Sequence, residues 1–172
     1  MNHMVRNLLD LNQLEFGDEK IQFERFDLTE LVKGVLQSME LFAEQKQAKV
    51  RFRQTEPLYV WGDEYKIEQV VRNYVSNAFN HLAGDMVVEV KIEVKDGIAR
   101  TTVFNTGKPI PEEDISHIWE KFYKVDKAHT REYGGNGIGL SIVKAIMESL
   151  HRKYGVENYD NGVAFWFELE VK

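Results

Sequence analysis

Ile67-Glu68-Gln69-Val70-Val71-Arg72-Asn73-Tyr74-Val75-Ser76-Asn77-Ala78-Phe79-Asn80-His81-Leu82 reads as one helix with two unlike sides. At about 100° per residue, Ile67, Val71, Tyr74, Ala78 and Leu82 gather on one side, while Asn73, Asn77 and Asn80 fall within a narrow sector opposite. The apolar side asks for a core. Asparagine is a mediocre helix former, because its side chain competes for backbone hydrogen bonds, so three in register ask for a reason. A solvated polar face is one. Chemistry is the other: an asparagine oxygen is a neutral hard ligand suited to Mg²⁺, which keeps several waters while bridging phosphates.

Working outward, the chain alternates strands and helices. Ile21 to Phe26 alternates like a strand, and Asp27 with Glu30 forms a capping-box pattern that opens a helix to about Lys46. Val50 to Arg53 and Leu58 to Trp61 read as short strands. Beyond the asparagine helix, which opens at Asp63, Val87 to Val94 and Ile98 to Phe104 flank Asp96-Gly97, a hairpin dipeptide. Pro111 with Glu112 and Glu113 marks a short helix, and Leu140, Val143, Ile146, Met147 and Leu150 trace a third long one. Two strands around Asp160-Asn161-Gly162 close the chain. This order predicts an α+β fold: a two-layer sandwich with three long helices on one face of a mostly antiparallel, mixed sheet.

Two loops carry glycine where chemistry needs backbone access. Gly134-Gly135-Asn136-Gly137-Ile138-Gly139-Leu140 leads into the third helix, so backbone N–H groups and a helix start converge there in a manner suited to phosphate. No Lys-Ser or Lys-Thr follows, which excludes a P-loop, and the spacing is not that of a dinucleotide fingerprint. Asn105-Thr106-Gly107 ends a strand, where an asparagine carbonyl can accept from an adenine amino group. Lys124 to Gly137 is polar, lacks apolar periodicity, and reads as a mobile lid.

Composition narrows the classes. The 172 residues include 28 acidic and 22 basic ones, for a formal net charge of -6, and no basic block is present, which argues against nucleic acid as a partner. The absence of cysteine excludes disulfides, thiolate metal sites and thiol nucleophiles, and fits a reducing compartment such as the cytoplasm. No apolar run approaches the roughly eighteen residues that span a bilayer. Met4, Leu8, Leu9, Leu11 and Leu14 recur at helical spacing up to Gly17, as the end of an amphipathic helix lacking its apolar partner. Met1 to Met4 reads as partly vector-derived.

Together these motifs resemble the catalytic domain of sensor histidine kinases, a branch of the Bergerat-fold ATPases that includes gyrase and MutL. Gln69 to Ala78 looks like the N box, Asn105-Thr106-Gly107-Lys108-Pro109-Ile110 like the first glycine box, Ile118 to Lys124 like the F box, and Gly135 to Leu140 like the second glycine box. Leu8 to Glu15 resembles the end of the dimerisation hairpin. The resemblance implies a hairpin remnant over 1–16 and an ATP-binding catalytic domain over 21–172, with ATP and Mg²⁺ as cofactors. It assigns Asn77 to the metal, Asn73 and Lys124 to catalysis, and Asn73, Asn77, Asn80, His81, Asn105, Gly107, Ile110, Tyr123, Lys124, Gly135, Gly137, Ile138, Gly139 and Leu140 to the nucleotide. Asn105 stands where many members have aspartate; Asn80 stands where many have a phosphate-contacting lysine, and Lys121, Lys124 or Arg131 are the candidate replacements.

The implied activity is transfer of the ATP γ-phosphoryl group to a histidine on the dimerisation hairpin, then to a response-regulator aspartate. The phospho-accepting box is not in this sequence: His3, His81, His117, His129 and His151 all lack its context. The resemblance also implies a homodimeric, membrane-anchored parent whose cytoplasmic piece, taken alone, is monomeric. Two alternatives stand beside this reading, a nucleotide-binding module without catalysis and an ATPase of the gyrase type. The second is opposed by Asn73, since the hydrolytic relatives carry a glutamate base there and an amide takes no proton at neutral pH.

Overall fold

The computed structural model describes residues 20–123 and 138–172. Seven strands form one sheet: β1 (Glu24–Asp27), β2 (Lys49–Phe52), β3 (Tyr59–Gly62), β4 (Val87–Lys95), β5 (Ile98–Thr106), β6 (Tyr154–Tyr159) and β7 (Gly162–Val171). Its order is β1-β3-β7-β5-β4-β2, with β6 also paired to β7. All pairs are antiparallel except β2–β4. The helices are α1 (Leu28–Ser38), α2 (Glu40–Gln45), α3 (Glu64–Asn80), α4 (Glu112–Ile115) and α5 (Gly139–Ser149). This is the expected mixed sandwich. The hairpin turn is also as read: Asp96 and Gly97 both take positive φ, 53° and 77°, which a two-residue turn matched to strand twist requires.

One expectation fails. The first helix does not run to Lys46 but breaks at Met39, whose φ and ψ are -106° and 12°. Ser38 donates its hydroxyl to the Val35 carbonyl at 2.7 Å and accepts from Arg72 Nη1 at 3.1 Å, so a side chain competes with the helical ladder at that point. The start is as predicted, with Asp27 Oδ1 accepting from Glu30 N at 3.2 Å. The first strand is also shorter than read, beginning at Glu24 rather than Ile21.

The core lies between α1, α3 and α5 and the inner face of the sheet. From α3 it takes Ile67, Val71, Tyr74 and Ala78, as periodicity predicts, and also Val70, Val75 and Phe79, while the predicted Leu82 is only partly buried against it. Asp63 caps this helix, its carboxylate accepting from Lys66 N at 3.2 Å and from Gln22 N at 2.9 Å. Tyr74 is fully buried between Phe165 and Phe167 of β7 and donates its hydroxyl to the Trp166 carbonyl at 3.0 Å. Burial pushes its pKa well above the ordinary tyrosine value, so it stays a donor. On the outer face, Arg100 lies 3.8 Å over the Trp166 ring and pairs with Glu168 at 2.8 Å.

Two substitutions separate hydrogen bonding from burial here. Tyr74→Phe keeps the packing but loses the bond to Trp166, and should lower unfolding free energy by about 1 kcal/mol. Thr101 carries a buried hydroxyl with no partner among the described residues, so Thr101→Val should raise it by about 1 kcal/mol. Urea denaturation midpoints for both variants, with unchanged m-values, check the pair.

Candidate nucleotide-binding site

The site begins on the polar side of α3. Asn73, Asn77 and Asn80 are all half-buried, and among the described residues none of their side-chain amides has a hydrogen-bond partner. Asn73 Oδ1 faces the start of α5, 3.4 Å from where a β-carbon on Gly139 would stand. That helix opens at Ile138, which is buried, with no side chain capping its first turn. The backbone N–H groups of Gly139 and Leu140 therefore stand at an uncapped helix start close to Asn73, an arrangement that favours anionic oxygen.

At the far end of α3 a compact network joins three elements. Asn105, 2% exposed at the end of β5, donates Nδ2 to the His81 carbonyl at 3.3 Å and to the Thr106 carbonyl at 3.0 Å. Two carbonyls on one side of the amide fix its orientation: nitrogen must face them, and Oδ1 is left as the free acceptor. Thr106 donates its hydroxyl to the Ala83 carbonyl at 2.7 Å and accepts from Val87 N at 3.0 Å. Gly107 follows with φ of 156°, its α-carbon so close to His81 that a β-carbon would lie 2.5 Å from the carbonyl oxygen. Only glycine fits. A depression of about 270 Å³ lined by Ala83, Gly84, Asp85, Thr106, Gly107 and Asn161 borders this network. It shares Gly107 with the predicted set and none of the α3 asparagines.

The remaining assignments are dispersed. Tyr123 hydrogen-bonds through its hydroxyl to Asp114 and stacks on His117, ring centroids 5.2 Å apart; the Asp114 carboxylate holds its pKa up. Its hydroxyl and ring thus engage α4 and the turn after it. Phe122 is exposed at positive φ, 62°, while its neighbour Trp119 packs edge-on against Tyr154 and Phe165. Lys124, Gly135 and Gly137, with the lid read over Lys124 to Gly137, lie outside the described residues, as does the stretch before Gly17 whose spacing predicts a helix. Sequence reasoning missed the Thr106 hydroxyl and the hold of Asn158 on Ile110, whose N–H donates to Asn158 Oδ1 at 3.0 Å while Asn158 Nδ2 donates to its carbonyl at 2.8 Å. An asparagine in a strand, where that residue is rare, was the available signal.

A family model described as "Histidine kinase-, DNA gyrase B-, and HSP90-like ATPase" matches residues 62–172. The chain belongs to this family. Its fold and relatives are those of the sensor histidine kinase ATP-binding catalytic domain. It is 29% identical over 151 residues to the sensor histidine kinase WalK of Bacillus subtilis, covering 87% of this chain and 25% of that protein. The catalytic domain of histidine kinase ThkA superposes with a TM-score of 0.76 at 32% identity, covering 87% of this chain and 95% of that one. ThkA in complex with the response regulator protein TrrA gives 0.78 at 28% identity, covering 99% and 49%. The chain thus spans about a quarter of the length of its relative WalK. Among the described residues no helix is long and apolar enough to cross a membrane.

His81 gives the site a pH signature. Desolvation of the ring holds its pKa below the ordinary 6.5, although the residue as a whole is exposed, which keeps the effect small. The unfolded chain therefore binds this proton first as pH falls, so the stabilising increment is complete above pH 6.5 and drains away as pH descends through the folded-state value. Lowering the pH from 7.5 to 5.5 should shift the urea midpoint downward more in the wild type than in His81→Gln. Equal shifts in the two proteins would refute the assignment.

Proposed function

We propose that the domain binds Mg²⁺-ATP with its adenine against Asn105 and its phosphates along Asn73, Asn77 and the start of α5. On this reading it passes the γ-phosphoryl group to a histidine of a dimerisation hairpin, whose end is residues 1–16, and a response-regulator aspartate then receives it. The observation that carries the proposal is the row of three half-buried carboxamides without partners. Amides that reach solvent and have no protein partner are open to a ligand, which would supply their hydrogen bonds.

The donor set fits magnesium better than a protein-caged metal. The described residues hold no group of three or more His, Cys, Asp or Glu side chains able to grip a cation, whereas Mg²⁺ needs one or two protein oxygens when phosphates complete its shell. Asn77 would hold it and Asn73 would support it or the phosphates; when bound, the cation neutralises charge on the transferring group. Asn105 Oδ1 accepts from the 6-amino group of adenine and opposes the carbonyl that guanine carries there. Asn80, His81, Gly107, Ile110, Tyr123, Ile138, Gly139 and Leu140 complete the set, with Lys124, Gly135 and Gly137 from the lid.

Asn73 supports a kinase over a hydrolase. An amide cannot take a proton from water at neutral pH, whereas a neutral imidazole is a nucleophile that needs little activation. What remains for the domain is positioning and charge stabilisation, which is most of what phosphoryl transfer requires. The ThkA–TrrA complex supports a response regulator as downstream partner; on this reading the parent is a homodimeric, membrane-anchored sensor kinase with this domain in the cytoplasm.

Asn77→Ala should weaken Mg²⁺-ATP binding by roughly tenfold or more without moving the urea midpoint, because its amide lies off the core. Unchanged calorimetric affinity in magnesium would remove the metal assignment. Added to a hairpin carrying the missing histidine, the domain should transfer acid-labile label from γ-labelled ATP; transfer mainly to serine or to water would overturn the kinase reading.

A further inference from the structure

The loop leaving β5 carries Gly107 and Ile110, both assigned above to the nucleotide, and the β6–β7 hairpin braces it. Gly107 N donates to the Asn161 carbonyl at 3.0 Å. Ile110 is gripped at both backbone groups by one side chain: its N–H donates to Asn158 Oδ1 at 3.0 Å and its carbonyl accepts from Asn158 Nδ2 at 2.8 Å. The carboxamide thus pairs with Ile110 as a neighbouring strand would. Asn158 is exposed, so its commitment to a residue 48 positions away is not demanded by core burial. Asparagine is also depleted in strands.

We propose that Asn158 is a positioning residue of the nucleotide site, holding the loop 107–111 in its binding geometry before ligand arrives. It touches no nucleotide itself. A preformed loop leaves less backbone to be ordered on binding, and the adenine edge meets a surface of fixed height. The proposal rests on the nucleotide reading above, since a loop that meets no ligand needs no positioning.

The test compares this chain with Asn158→Ala and with Asn158→Asp, which keeps the shape and the acceptor but loses the donor. Amide hydrogen exchange, the urea midpoint, and calorimetric affinities for the magnesium complexes of ATP and GTP are measured. Exchange at Ile110 should accelerate in Asn158→Ala while the β7 amides stay protected, with the urea midpoint falling by no more than the loss of two hydrogen bonds allows. ATP affinity should fall between about fivefold and thirtyfold in both variants, the span of one to two net hydrogen bonds, and the preference for ATP over GTP should narrow. General destabilisation would not alter that preference. Accelerated exchange at Ile110 with affinity and preference within twofold of wild type would overturn the positioning role, as would unchanged exchange. A wild type that binds neither nucleotide would instead sink the nucleotide reading itself.

Discussion

The direction in which α3 presents its amides depends on Tyr74. Its ring fills the space between Phe165 and Phe167, and its hydroxyl bonds to the Trp166 carbonyl of β7. A helix anchored at that point cannot roll by one residue without dragging a large phenol out of the core and turning an amide into it. Both changes are costly: the first forfeits buried apolar area, and the second buries a polar group with no partner. Packing on one side thereby dictates chemistry on the other. Asn73 is held in this way toward the start of α5, with Asn77 and Asn80 on the same side of the helix.

The second support is the knot at the end of β5. Asn105, Thr106 and Gly107 donate hydrogen bonds to the carbonyls of His81, Ala83 and Asn161, so the end of a helix, the loop leading to β4 and a distant hairpin are fixed together. The Asn105 acceptor and the amide row therefore belong to one unit, joined through a 17-residue helix. Use of amides rather than carboxylates suits a chain with a formal net charge of -6. A half-buried carboxylate would cost more to leave unpaired and, on the proposed reading, would repel the phosphates of the nucleotide.

Much of this was legible in the sequence, and the rest was not for identifiable reasons. Periodicity located α3, α5, the β4–β5 hairpin and the closing strands, because burial imposes its period on the residues themselves. The break at Met39 escaped it, since apolar spacing runs on through a local competition by the Ser38 hydroxyl. The Asn158 grip on Ile110 escaped as well: a bond between a side chain and a backbone group far along the chain leaves no periodic trace. Asn105 was legible as a candidate site residue, yet the orientation of its amide needed the two carbonyls that only folding brings beside it.

On the proposed reading, the site's neutrality also explains why nucleophile and nucleotide belong on separate elements. Asn73 withholds a base from water, so ATP bound here is protected from hydrolysis by what the site lacks. Reaction then waits for a nucleophile that is competent without help and that arrives from outside the domain, which an imidazole on a separate helix satisfies. Phosphoryl transfer becomes conditional on the relative placement of two bodies rather than on any titration within one. A signal that changes that placement can thus control the reaction without altering a single residue around the nucleotide.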